Sequence, residues 1–341
     1  MSLTQKKRAQ IKQYILEKIG SDGADIAAKC AEACGLSLNS IYRYIRQMEA
    51  DGEIVRRGRR LYLRIESRLF SYQHSRLALS FDTTVFEQDI RPLLSDCAEN
   101  VLHIWSYAVS EMVNNIIDHS DAEIAQALVL RDAMNTTIIL RDDGIGIFRK
   151  IQTYFQFPDM DEAIAALFKG KLTTDTENHS GEGIFFTSRA VDLFAVLSGG
   201  KIFSHDDYDD IQKKIGDVSD LAGWEHFPGT VVFMRLANRS PKRLVEIFDA
   251  YTDAEGSFNK TGIVVSRLFP APVSRSQARR LAERLEQFKT VELDFRGVDW
   301  IGQGFAHELF VVWQRRHPEI RLVVQNENND VRKMIHHVTA E

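Results

Sequence analysis

The stretch Thr137-Ile-Ile-Leu-Arg-Asp-Asp-Gly-Ile-Gly-Ile147 constrains this chain more than any other. A β-branched and apolar run ends at Asp142 and passes at once into two glycines, Gly144 and Gly146, separated by one residue. The run has the make-up of a strand, and the glycines let the backbone turn sharply and approach a flat ligand closely. An aspartate at such a strand end can accept a hydrogen bond from an adenine amino group.

Three further pieces surround it. Residues 106–119 (SYAVSEMVNNIIDH) read as a helix with Val109, Val113, Ile116 and Ile117 toward a core. Glu111 and Asn115 stand four apart, so both project from one side. A carboxylate beside an amide oxygen can orient a water and hold Mg²⁺, which takes oxygen ligands. His179-Ser-Gly-Glu-Gly-Ile184 precedes a helix predicted over 185–193. Glycines that open a helix present free N–H groups and the positive end of the helix dipole to phosphate. Pro228-Gly-Thr230 leads into a strand predicted over 231–236, with a hydroxyl near the same place.

Each piece is weak singly, but the ordered set is specific. Over about residues 77–238 it resembles the GHKL (Bergerat-fold) ATPases: gyrase-type topoisomerases, heat-shock chaperones, mismatch-repair ATPases and sensor kinases. The resemblance implies a two-layer α/β ATP-binding domain that uses ATP and Mg²⁺. It implies that Glu111 is the water-orienting or catalytic base and Asn115 the Mg²⁺ ligand. Asp142 matches the adenine-reading aspartate, supported through water by Thr230, and Gly144, Gly146, Gly181 and Gly183 match the turns around adenine and phosphates. Residues 169–179 (KGKLTTDTENH), with Lys171 and Thr173, match the family's polar ATP lid. Glu111, Asn115 and His119 are also similar to a run in the family's anti-sigma-factor kinases, although a histidine at a helix end is more often a cap or packing group.

Ahead of this unit lie three predicted helices and a hairpin. Ile11, Ile15 and Ile19 repeat at fours; residues 24–33 form a second helix ended by Gly35. Ser37 or Asn39 caps a third helix with a buried stripe of Ile41, Ile45 and Met48. Residues 54–57 and 61–64 flank the basic turn Gly58-Arg59-Arg60. This order resembles a winged helix-turn-helix over 1–68. The resemblance implies that Asn39, Ser40, Arg43 and Arg46 face DNA from the third helix, with Arg57, Arg59 and Arg60 at the wing. Charge agrees. Residues 1–68 hold 14 Lys/Arg against 8 Asp/Glu, whereas the rest holds 29 against 40. Cys30 and Cys34 lack further ligands at a metal-site spacing and read as small core residues.

From residue 261 strands and helices alternate, with an amphipathic helix predicted over 274–288 and capped by Ser274, which implies a small α/β domain. Val291-Glu-Leu-Asp-Phe-Arg-Gly-Val-Asp-Trp-Ile301 and the helix after it resemble the STAS domains of anti-sigma-factor antagonists. The turn those proteins phosphorylate is Gly302-Gln-Gly304 here, without a hydroxyl.

The expectation is therefore a multidomain α/β chain: a winged-helix (α+β) head over 1–68, an ATP-binding unit over 69–240 and a STAS-like module over 241–341. No Walker-type GxxxxGK[ST], HExxH or GxSxG occurs. His74, the one histidine placed to accept phosphate in a sensor kinase, lacks an acidic neighbour. No apolar run nears the roughly 20 residues of a membrane span, and three cysteines make no disulfide framework. A cytoplasmic, ATP-controlled DNA-binding regulator follows, with a Ser/Thr kinase of anti-sigma type as the alternative. A protein partner at the STAS-like module and a homodimer are both compatible with it.

Overall fold

The computed structural model describes residues 4–21, 25–73, 75, 84–172, 181–206, 208–216, 218, 221 and 223–340. It is a mixed α/β molecule, and the described residues form three separate sheets. Among the described residues no helix is long and apolar enough to cross a membrane.

The head consists of helices α1 (Gln5–Ser21), α2 (Ile26–Cys34) and α3 (Leu38–Ala50), followed by strands β1 (Ile54–Arg57) and β2 (Arg60–Leu63). Its core joins Ile11, Ile15, Ile19, Cys30, Ile41, Ile45 and Met48 from the predicted stripes. Gly35 takes the left-handed conformation at φ 62 and donates to the carbonyls of Ala31 and Glu32, which ends α2. Ser37, rather than Asn39, caps α3 by accepting from the N–H of Ser40. Arg60 is not in the turn; it pairs with Arg57 across the hairpin. Ala133 and Met134, at the turn of a later hairpin, pack against the head's core.

The central sheet has the order β3-β4-β5-β8-β6-β7: Glu66–Gln73, Ile124–Arg131, Asn135–Asp142, Thr230–Ala237, Leu193–Ser198 and Lys201–Phe203. All neighbours are antiparallel. Ala125, Ala127, Val129, Ile138, Leu140, Val232 and Met234 face α4 (Glu99–His119), α5 (Ile147–Phe155) and α6 (Met160–Lys169). Their sequence neighbours Leu128, Ile139, Val231 and Phe233 face the other way, onto Ile211, Ile215, Leu221 and Trp224 of a segment that holds α8 (Tyr208–Gly216). Both faces are covered. That is why β6 and β8 read as continuous apolar runs rather than as alternation. α7 (Gly183–Ala190) lies between α4 and β6.

Several elements differ from expectation in extent. The helix predicted from 106 starts at Glu99. The one predicted over 185–193 runs from Gly183 to Ala190, because Asp192 donates to the Arg235 carbonyl and the chain joins the sheet at Leu193. Residues 77–81 (LALSF), whose apolar make-up predicts a strand, and the phosphate-accepting candidate His74 fall outside the described residues.

After α9 (Leu244–Tyr251), three parallel strands, β9 (Lys260–Val264), β10 (Thr290–Asp294) and β11 (Arg321–Gln325), form a sheet of order β11-β10-β9. A short α10 (Val265–Leu268) follows β9. α11 (Arg275–Ala282) opens with a Ser274–Gln277 capping box and stops earlier than expected, where Arg284 turns left-handed at φ 66. α12 (Gln303–His307) continues as a π-helical stretch, Glu308–Trp313, and α13 (Gln314–Arg316) adds a last turn. α14 (Asn329–Thr339) is capped by Asn328. The core of this module also takes in Phe185 and Phe186 from α7.

Candidate nucleotide site

One cavity gathers most of the predicted residues. Glu111, Asn115 and His119 line it from successive turns of α4, Asp142 from the end of β5, Gly181 and Gly183 from the entry to α7, and Thr230 from the start of β8. These segments are up to 119 residues apart in sequence, from Glu111 to Thr230. Met112, Ile116, Ile147, Ile151, Leu167, Leu172, Phe185, Val196 and Val232 complete the wall. The result is an apolar slot with a few convergent polar groups, the usual make-up of a small-molecule site.

Asp142 is 8% exposed. Its Oδ1 accepts from the Gly144 N–H at 2.9 Å, and the Thr230 amide also bonds to the carboxyl. Burial outweighs those two bonds and, with Asp143 adjacent, lifts the carboxyl to about 6. Thr230 Oγ1 accepts from the N–H of Ile147 at 3.0 Å, so its hydroxyl ties β8 to the first turn of α5. Gly144 and Gly146 form the turn behind Asp142 and do not themselves line the cavity. Gly146 adopts φ 83 against the Ser198 hydroxyl, where a side chain would both strain the backbone and collide.

At the other end, the carboxylate of Glu111 lies against the start of α7. A Cβ on Gly183 would stand 2.2 Å from Glu111 Oε2, so only glycine lets that carboxylate reach the helix entrance. Burial, together with the charges of Glu111 and Glu182, pushes the Tyr107 hydroxyl far up, which places both carboxylates near Tyr107. Glu111 and Asn115 offer oxygen donors, the ligand type that suits Mg²⁺. Mg²⁺ bound with a nucleotide takes most of its ligands from phosphate and water, so few protein oxygens suffice. Among the described residues no group of three or more His, Cys, Asp or Glu side chains is placed to hold a metal.

Two expected contacts stand apart. Lys171 does not line the cavity; its Nζ donates to the carbonyl of Gln287 at 2.9 Å and sits 4.9 Å from the Phe288 ring. Thr173, with the rest of 173–179, lies outside the described residues. Conversely, Lys150 was missed in sequence. It lines the cavity from α5, with Asp121 3.6 Å from its Nζ. The available signal was its position four residues past Gly146, one helical turn from the cavity's glycine loop.

On the head, Asn39, Arg43, Arg46, Arg57, Arg59 and Arg60 are all exposed. Ser40 is half-buried, and its hydroxyl lies 3.0 Å from that of the capping residue Ser37. Tyr42, 46% exposed, shares the outer face of α3 with Arg43 and Arg46 and was not anticipated. Arg57 lies over the ring of Tyr62, and Arg56 is paired with Glu49. Cys30 is fully buried, as expected of a core residue, with burial raising its thiol to about 11; Cys34 is half-buried.

Residues 277–332 match the family model described as a STAS-like domain of unknown function (DUF4325). No curated protein matches the chain.

Proposed function

We propose that the chain is an ATP-binding regulator of GHKL type, in which a nucleotide-dependent central unit controls a DNA-binding winged-helix head, with the STAS-like module as a third part. The carrying observation is the convergence of Glu111, Asn115, Asp142, Gly183 and Thr230 on one apolar cavity. Asp142 would accept from the adenine amino group, and the apolar wall would hold the ring. The N–H groups at the start of α7 would face the phosphates. Asn115 would supply an oxygen to Mg²⁺, and Glu111 would orient or deprotonate the attacking water. The exposed arginines of α3 and the hairpin support the DNA reading of the head.

The full-length protein mixed with labelled ATP and Mg²⁺, with and without a pool of random duplexes at low salt, tests this reading. Phosphate release and duplex retardation are the expected results; label on a protein would indicate the kinase alternative. Neutralising Arg57, Arg59 and Arg60 should weaken all duplexes alike and flatten the salt dependence by about 0.9 log unit per lost phosphate contact. Absence of retardation with and without ATP would remove DNA from the proposal.

A further inference from the structure

The STAS-like module is bonded to Lys169 and Lys171, the two residues that flank Gly170 in the cavity wall. Lys169, the last residue of α6, is 2% exposed, and its ammonium donates to the carbonyls of Arg280 at 2.7 Å and Glu283 at 2.8 Å. These carbonyls lie at the C-terminal end of α11, where a helix has acceptors without intrahelical partners and favours a cation. Thr261, fully buried in β9, donates its hydroxyl to the carbonyl of Lys169 at 2.7 Å. On the far side of Gly170, Lys171 donates to Gln287 and accepts from Arg284 Nη2 at 2.9 Å. Five hydrogen bonds thus hold Lys169 and Lys171 to the module.

The residue between them lines the cavity. Gly170 has φ 84, and a Cβ there would stand 2.8 Å from Phe185 and 3.0 Å from Phe258. Phe185 is part of the cavity wall, and both rings belong to the module's core. The helix that carries Gly183 is held too. Arg189, in the same helix as Gly183, lies 3.4 Å from the Phe185 ring centre and donates to the Gly262 carbonyl of β9.

We propose that the STAS-like module holds the cavity wall at residues 169–171 in its ligand-ready position, so that nucleotide affinity and the packing of the module are linked. The proposal rests on the nucleotide reading of the cavity. Linkage is reciprocal: whatever loosens the module at this contact weakens the ligand, and bound ligand tightens the module by the same factor. A module whose state changed with a partner would thereby set the nucleotide affinity of the central unit.

The test uses the full-length chain with Mg²⁺ and a non-hydrolysable ATP analogue. Hydrogen exchange on the unmutated protein should slow at 260–264 and 280–287 when the analogue is added. Thr261→Val, which keeps the shape and deletes the bond to Lys169, should weaken the analogue about three- to tenfold by calorimetry, the loss expected for one hydrogen bond. Ser266→Ala deletes a hydroxyl-to-carbonyl bond elsewhere in the same module, the more exposed one to Arg296, and should leave affinity unchanged. Binding by the parent with unchanged exchange at both segments and unchanged affinity in Thr261→Val would overturn the linkage alone. Equal weakening by both substitutions would overturn the route through 169–171. A parent that binds no analogue would remove the nucleotide site and the linkage with it.

Discussion

Asp142 and Asp294 occupy matching corners of two different sheets. Each ends a strand, β5 or β10, each is less than a tenth exposed, and each accepts at 2.9 Å from the backbone N–H two residues on. Beyond that bond they part. Asp294 also receives the guanidinium of Arg296 and the amide of Asn326, and against the cost of burial these hold its carboxyl below the ordinary range. Asp142 is met by the amides of Gly144 and Thr230 and by apolar walls, and burial lifts it to about 6. One aspartate has its partners built in and acts as a structural corner. The other is left facing a cavity, where a ligand can supply what the fold does not.

The contrast can be pressed hardest at Glu111, another carboxylate that lines the cavity. Glu111→Ala should retain ATP binding and slow hydrolysis about 10²–10⁴-fold, the usual contribution of a general base. Turnover at the parent rate, measured by phosphate release, would deny it that role.

A smaller effect separates the two aspartates themselves. Asp142→Asn should weaken ATP about ten- to a hundredfold, since a hydrogen bond to a charged acceptor contributes roughly 1.5–3 kcal/mol. Asp294→Asn should leave affinity within twofold and lower stability by about 1–3 kcal/mol, by disturbing the bonds to Arg296 and Asn326. Calorimetry and thermal melts on both variants decide it; the opposite assignment of the two losses would break the comparison.

The pH dependence is gentler and of opposite sign at the two corners. Asp142 titrates above the ordinary value of 3.8, so the folded state binds its proton first as pH falls. Its contribution to stability therefore declines as pH rises from about 4 to about 6. Adenine recognition as proposed would need the carboxylate, so affinity should be full above about pH 6 and fall by up to tenfold per unit below. Asp294 is shifted down. Its stabilisation is complete above the ordinary carboxylate range and is lost only as pH falls through the lowered value. Calorimetric titrations at pH 7.5 and 5 check the first; a flat affinity profile would sink the assignment of Asp142 as the adenine acceptor.

Much of the local structure was legible because its causes lie within a few residues. The left-handed Gly35, the Ser37 and Ser274 caps, the α3 stripe and the i, i+4 pair Glu111 and Asn115 all follow from helix geometry. Other elements left weaker marks. β6 is buried throughout, so its apolar run carries no alternation to read. The cover over the sheet's second face, from Ile211 to Trp224, depends on contacts between residues far apart in the chain. α11 stops short because Arg284 turns left-handed and reaches the carbonyl of Lys171, 113 residues away.

The sequence by itself determined which residues could form each helix, cap and turn, and which polar groups stood at strand ends and helix starts. Periodicity and turn chemistry act over a few residues and need no distant partner. Only the tertiary structure decided that Asp142 and Thr230 share one cavity with Glu111 and Asn115, and that Lys171 serves the module rather than the cavity. It alone showed how differently Asp142 and Asp294 are surrounded. Solvation and charge depend on what packs alongside from elsewhere: Asn326 reaches Asp294 from 32 residues on, whereas Asp142 meets the apolar wall of the cavity.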